Sequence, residues 1–397
     1  MSYHSFNIGI IGAGIGGLAL SIMLKDSGFS VTVFESSKHI STFGSGVQLS
    51  PNGLKVLRNL GVEEKLKKLS THPERIVISN AENNKVVSVI PLGDIASKRY
   101  SASFLQIHRS DLVDVLYEKA CEKGVHFQFG RKAFVKSTNS VSSVISCGTH
   151  DFSFNVAVAA DGVHSITRNT FFKFASPSFL KQVAYRATVS LNDLDDIWRI
   201  PEVKIFLAPG SHVVMYPLIK RSLLNIIICT AEETWSLDGW SHAADPTEVS
   251  EKLKPFKSVR FLLDKLVSVH KWGLLGYESK CDWNCASLAL LGDACHPMLP
   301  YLAQGANQAL EDVAALSYFM SQKSEKGFPK SLEFYSKNRR GRVLEVQRAA
   351  QKNARFYHLP NGAVRILSHS ALNLASRTIP SLLLSRFDWL YSYQLRH

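Results

Sequence analysis

The sequence predicts an α/β chain in which pieces of a doubly wound parallel sheet alternate with pieces of a second, mainly antiparallel sheet, before a helical region closes the chain. Three observations carry this. The first apolar run, Phe6–Ile11, ends in a glycine-rich turn and is followed by a helical pattern and a second strand-like run. Two further buried-strand runs, Val156–Ala160 and Leu288–Leu291, each end where an aspartate sits beside a glycine. The stretch from Val183 to about Thr230 is rich in strand-forming residues throughout.

The N-terminal unit is the most informative. After Phe6–Ile11 come Gly12-Ala13-Gly14-Ile15-Gly16-Gly17, and a helical pattern runs to about Lys25. Asp26-Ser27-Gly28 breaks it, and Val31-Thr32-Val33-Phe34 reads as a strand ending at Glu35. This is a β–α–β unit of the dinucleotide-binding kind. Gly12 permits the tight turn, Gly14 lets the backbone approach a pyrophosphate, and Gly17 lets helix and strand pack closely. The helix N-terminus offers oriented N–H groups to phosphates. Glu35 stands where a carboxylate accepts hydrogen bonds from ribose hydroxyls. The glycine pattern alone is weak evidence, because a turn in a core helical hairpin can carry it. The strand before, the helix after and the acid about 20 residues on give it weight.

Next come the loop Gly44–Asn52 and an amphipathic helix over Gly53–Leu60. Arg75–Ser79 and Lys85–Ile90 flank Asn80–Asn84 as a hairpin. Helical periodicity returns over Ser110–Lys123, with Ser110 expected as N-cap. Val156–Ala160 ends at Asp161-Gly162. His212–Leu218 and Leu223–Cys229 flank the turn Ile219–Ser222. Leu288–Leu291 ends at Gly292-Asp293, a helix is expected near Gly305–Met320, and the chain beyond Ser331 is helical and arginine-rich. The organisation expected is a cofactor domain from 1–73, 101–180 and 276–337, a sheet domain from 74–100 and 181–275, and a helical region over 338–397. A cleft is expected between the two domains.

Composition narrows the partners. Of 397 residues, 45% are hydrophobic and 20% charged, the balance of a globular protein rather than a disordered one. The net charge of +13 is high. No run of five or six like charges and no basic stretch interleaved with aromatics accompanies it, only mild clusters at Lys65–Lys68 and Arg339–Arg342, so it reads as a basic surface suited to an acidic substrate and an anionic cofactor, not as a nucleic-acid site. The six cysteines show no CxxC pair and no metal-ligand spacing, so reduced thiols and no metal are expected. The apolar N-terminus lacks a basic leader region, and no apolar run reaches the roughly 18 residues of a membrane span. A cytoplasmic protein is expected, without stable membrane insertion, as a monomer or homodimer.

Three strand-end motifs belong together: Gly12–Gly17 with Glu35, Asp161-Gly162-Val163-His164-Ser165-Ile166-Thr167-Arg168, and Gly292-Asp293-Ala294-Cys295-His296-Pro297. Open α/β sheets bind ligands at that carboxyl edge. With His108-Arg109-Ser110-Asp111-Leu112, the chain resembles the class A FAD-dependent aromatic hydroxylases, the family of p-hydroxybenzoate hydroxylase. Within it, Gly44–Asn52 and Met298–Ala309 are similar to the salicylate hydroxylase and 3-hydroxybenzoate 6-hydroxylase group, as are Asn353-Ala354-Arg355 and Phe387–Tyr391, though Gln394 departs from that pattern.

The resemblance implies a glutathione-reductase-type, Rossmann-like FAD domain beneath an α+β substrate domain. It implies that Gly12, Gly14, Ile15, Gly16, Gly17 and Glu35 bind FAD, that Asp161 and Gly162 contact both FAD and NADH or NADPH, and that Gly292 and Asp293 hold the ribityl or pyrophosphate part. Arg109 would hold the phosphates or ribityl chain, and Val47 would lie against the flavin. Gly305, Ala306 and Asn307 open a helix whose N-terminus suits negative charge on a reduced flavin. The activity implied is hydroxylation of a phenolic aromatic acid with O2 through a C4a-hydroperoxyflavin. Salicylate to catechol with decarboxylation is the leading expectation. The alternatives are 3-hydroxybenzoate, 6-hydroxynicotinate or a quinone ring.

For catalysis, His212 and Tyr216 share one face of a strand, roughly 13 Å apart, and both are expected to line an aromatic pocket. A sheet histidine bonded to backbone and a core tyrosine remain the competing reading. Gln48 suits a substrate or flavin edge but equally caps a turn. Arg186 suits a substrate carboxylate, with a solvated strand arginine as the alternative. His296 and His108 read as structural.

Overall fold

Buried apolar runs with no polar alternation are what parallel strands covered on both faces require, and three such runs form adjacent strands of the first sheet. The computed structural model describes residues 6–40, 44–172, 177–235, 242–266, 268–276, 281–322 and 327–395. Its six-stranded sheet runs, in spatial order, Asn284–Cys285, Leu288–Leu290, Val156–Ala159, Asn7–Ile11, Ser30–Glu35, His126–Phe129. All neighbours are parallel except the first pair. The carboxyl ends of three chain-distant strands therefore lie side by side. The helices Ile15–Asp26, Arg109–Glu122 and Gly305–Ser321 pack together on one face. The other face carries a three-stranded antiparallel sheet (Ala133–Thr138, Ser143–Cys147, His150–Phe154), whose Ile145 and Phe154 press on Gly9.

The second sheet has eight strands, ordered His242–Ala243, Val269–Gly276, Ser178–Ser190, Leu223–Ala231, Ser211–Leu218, Glu202–Ala208, Arg75–Asn80, Val86–Pro91. Its pairings are antiparallel apart from one, Glu202–Ala208 beside Arg75–Asn80. The 30-residue helix Phe328–Tyr357 buries Tyr335, Arg339 and Val346. The α/β architecture with an antiparallel partner sheet and a helical C-terminal region is the one the sequence predicts. Among the described residues no helix is long and apolar enough to cross a membrane.

Two local expectations are corrected. The helix expected from Ser110 begins at Arg109, and its N-cap is His108, whose Nδ1 accepts from the Ser110 N–H at 3.3 Å. Ser110 fails as a cap because its Oγ is engaged with that same His108 Nδ1, at 2.7 Å. The helix expected from Gly53 begins at Pro51, since a proline fits the first helical position with its missing N–H at no cost.

Candidate active site

The carboxyl edge of the parallel sheet and one face of the antiparallel sheet enclose a cavity of about 470 Å³. Gly14, Ile15, Gly16, Arg109, Gly162, Gly292, Asp293, Gly305 and Ala306 line it from the parallel-sheet side. Arg186, His212 and Tyr216 line it from the antiparallel sheet, and Val47 and Gln48 from the short strand Gly46–Leu49. Gly12, Gly17, Glu35, Asp161 and Asn307 are not part of this lining.

Gly12 has φ +105°, and a Cβ there would lie 2.4 Å from the Ala160 carbonyl oxygen, so only glycine makes this turn. Gly14 differs: a Cβ built on it meets nothing within 4 Å. Protein packing does not demand glycine at that point, whereas a ligand's close approach would. Glu35 braces the turn, its carboxylate accepting from Ala13 N–H and Ser37 N–H, each at 2.9 Å.

The charges beside this turn are arranged for an anion with polar groups. The Arg109 guanidinium lines the cavity and has no hydrogen-bond or ion-pair partner among the described residues. Burial lowers its pKa, while Asp293 and Glu35 hold it up. Asp293 is accessible, but that access opens into the cavity; surrounding protein raises its carboxyl above the usual range, against His296 and Arg109. Behind Gly162, the buried Asp161 Oδ1 lacks a hydrogen-bond partner, and burial raises its pKa too. Arg168, fully buried, ties these loops together by donating to the carbonyls of Val163 (2.8 Å) and Ala294 (3.2 Å). An open glycine turn, an unpartnered guanidinium and an orphaned carboxylate oxygen fit a dinucleotide whose phosphates meet Gly14 and Arg109.

The helix opening at Gly305 is held by a buried ion network. Arg339 donates to Glu311 at 2.6 Å and to Asp312 at 2.8 Å, Arg342 donates to Glu311 at 3.0 Å, and His296 meets Asp312 at 2.5 Å. Burial alone would raise both carboxyls. Arg339 and Arg342 hold Glu311 below its ordinary range, and His296 and Arg339 do so for Asp312. His296 is thus a structural residue here. The Asn307 side chain is spent on the loop at 48–50, accepting from Ser50 N–H and donating to the Gln48 carbonyl, each at 3.0 Å.

The antiparallel wall carries its charges differently. Arg186 is no solvated strand arginine. Its guanidinium stacks 4.6 Å from the Trp272 ring centroid and donates to Ser45 Oγ at 3.1 Å, and its buried Nε has no partner. No carboxylate pairs with it among the described residues, and burial lowers its pKa. His212 and Tyr216 both line the cavity. Burial raises the Tyr216 pKa, and burial together with His358 drives that of His212 well below its ordinary value. His212 Nδ1 lies 2.9 Å from His358 Nε2, and its ring packs against Tyr301 and Tyr357.

Trp272, Tyr301 and Tyr357, which line the cavity, and His358, which meets His212, are residues that sequence reasoning missed. Tyr301 lay inside a quoted motif without a role. His358 follows a long helix and reaches a strand 146 residues away, a meeting no local pattern announces.

A family model described as an FAD binding domain matches residues 5–350. The chain is 30% identical over 395 residues to the 3-amino-4-hydroxybenzoate 2-monooxygenase of Streptomyces platensis, covering 99% of this chain and 98% of that one. It is 31% identical over 363 residues to the 6-hydroxynicotinate 3-monooxygenase of Pseudomonas fluorescens, covering 88% and 91%. A solved salicylate hydroxylase substrate complex superposes with a TM-score of 0.80 at 24% identity, covering 98% and 96%.

Proposed function

Because the chain belongs to the FAD-binding-domain family of aromatic monooxygenases, we propose that it hydroxylates an aromatic acid bearing a ring hydroxyl, with NAD(P)H as electron donor. Bound FAD supplies the redox chemistry, carrying two electrons from NAD(P)H to O2 so that one oxygen atom enters the ring and the other leaves as water. The FAD-binding residues are those above: Gly14–Gly16, Arg109, Gly162, Gly292, Asp293, Gly305 and Ala306 around the cofactor, with Gly12, Gly17, Glu35, Asp161 and Asn307 shaping their loops.

The observation that carries the substrate class is Arg186. A half-buried arginine whose guanidinium faces an apolar cavity, its Nε buried without a partner and no carboxylate beside it, is costly unless an anion arrives. A substrate carboxylate on Arg186 would place the ring among Trp272, Tyr216 and His212. His212, neutral and accepting, takes the ring hydroxyl's proton, so that the phenolate raises electron density at the carbon to be oxidised. The enclosing sheet keeps water away from the reactive flavin.

Hydroxybenzoates and hydroxynicotinates are the first substrates to test, since relatives at about the 30% level act on rings carrying both groups. Salicylate comes next, because its hydroxylase is alike in fold alone. The test is substrate-stimulated O2 uptake by the FAD-loaded enzyme across 3-hydroxybenzoate, 6-hydroxynicotinate, 3-amino-4-hydroxybenzoate and salicylate, with product identification. Arg186→Met should raise KM for the acid about 10- to 100-fold, the strength of hydrogen bonds to a charged group, while leaving the low activity on the matching phenol unchanged. No stimulation by any acid, or an equal loss on acid and phenol, would overturn the reading.

A further inference from the structure

We propose that His358, at the end of the long C-terminal helix, is a positioning residue for the reaction: it fixes the tautomer of His212 and passes that residue's proton to solvent. This rests on the functional reading above, in which His212 accepts the substrate's phenolic proton.

The geometry is specific. The 2.9 Å contact joins Nδ1 of His212 to Nε2 of His358, both ring nitrogens. Two neutral imidazoles make such a bond only when one donates and the other accepts. Nε2 of His212 and Nδ1 of His358 have no hydrogen-bond partner among the described residues. One free nitrogen thus belongs to a residue buried in the cavity wall and the other to a residue that is partly exposed. The two rings thus form a hydrogen-bonded link from a cavity-lining residue to a partly exposed one.

The contact is held from several sides. The Gly210 N–H bonds the His358 carbonyl at 3.4 Å, and Arg365 donates to the Leu207 carbonyl at 2.9 Å, so the segment after the helix is tied to the hairpin that carries His212. Tyr301 packs on both imidazoles, with its hydroxyl 3.5 Å from His358 Nε2 and a further hydrogen bond to Gln182. The titratable groups facing His358 are His212 and Tyr301, with Tyr357 beside it on its own helix. None is charged at neutral pH. Burial lowers the pKa of both histidines, His358 to about 4, so the pair shares protons as two neutral rings.

The steps balance as proton transfers alone. With His212 protonated on Nδ1, its Nε2 lone pair takes the phenolic proton. The Nδ1 proton moves to Nε2 of His358, and the proton on His358 Nδ1 leaves to water. Both rings end neutral, each now protonated on Nε2. Running backwards, the same chain returns a proton to the product oxygen and restores the starting tautomers.

Two measurements on the FAD-loaded enzyme test this. In ¹⁵N–¹H correlation spectra, His212 should be the Nδ1–H tautomer in the native protein and lose that preference in His358→Phe, a readout independent of turnover. In kinetics with the best acid substrate, His358→Ala should lower kcat about 100-fold with KM unchanged, at the low end of the range for general acid–base assistance. Imidazole buffer should restore it in proportion to its concentration, while His358→Gln, which keeps the packing, should respond like Ala without the rescue of a small cavity. An unchanged His212 tautomer in His358→Phe overturns the proposal, as does a kcat within twofold of native that is insensitive to buffer. Failure of the native enzyme to consume O2 with any acid would count against the functional reading instead, and the tautomer measurement would still decide the role of His358.

Discussion

The scaffold behind the cavity and the side chains that face it treat charge in opposite ways. Behind the flavin-side wall, every buried charge of the Arg339 network has its counter-charge: Arg339 and Arg342 face Glu311 and Asp312 at 2.6 to 3.0 Å. On the antiparallel wall, Arg186 has a tryptophan and a serine for company, and the hydrogen-bond partner of the His212 ring among the described residues is another neutral histidine. Paired charges rigidify a scaffold, whereas an unpaired one holds binding energy in reserve for a ligand. The contrast teaches where this molecule keeps its shape and where it waits for a partner.

The comparison breaks most easily at Arg339. Replacing it with methionine leaves Glu311 and Asp312 buried with too little positive charge, and a broken buried pair typically costs about 3–5 kcal/mol. Urea unfolding at pH 7 should show a loss of that size. A loss below about 1 kcal/mol would mean that the network is not what holds the Gly305 helix.

A smaller effect should appear as the pH falls. The His358 pKa is lowered to about 4 by burial, against an ordinary value near 6.5. The folded state therefore holds fewer protons than the unfolded chain between those values, so the stabilising contribution is full above about pH 6.5 and is lost as the pH falls toward 4. After discounting for partial exposure, the loss is about 2 kcal/mol. His358→Gln should flatten this part of the stability–pH curve. An unaltered curve would place the acid sensitivity elsewhere.

The same contrast explains what was legible in the sequence. Gly12 to Gly17, Glu35 and the strand-end aspartates were readable because a tight turn beside a phosphate restricts residue type over a few positions. The Arg75–Pro91 hairpin was readable for a similar local reason. The antiparallel wall is assembled from side chains that meet only after folding. Arg186 gave no local sign of whether it faced water or a cavity, since a strand arginine looks the same in both. The meander over 133–154 escaped notice because its outer positions are exposed and polar, for instance Lys136 and Asp151. The parallel pairing of Glu202–Ala208 with Arg75–Asn80 joins segments 127 residues apart, beyond any periodicity argument.

Arg186 itself should give the smallest change in stability and the sharpest test of the contrast. In the substrate-free enzyme its guanidinium is buried without a carboxylate, so the desolvation cost stands against little more than one hydrogen bond and a stacked ring. Methionine keeps much of the aliphatic stem and carries no charge to desolvate. Arg186→Met should therefore leave unfolding free energy within about 1 kcal/mol of native, on either side. A saturating aromatic acid should then separate the two proteins. Ligand bound only by the native fold adds about 2.7 kcal/mol at a hundredfold excess over Kd, so the native enzyme should gain several degrees in Tm and the methionine variant, binding about 10- to 100-fold more weakly, about half of that or less. A loss above about 2 kcal/mol in the substrate-free variant would make Arg186 part of the scaffold, and the two walls would then differ only in their composition.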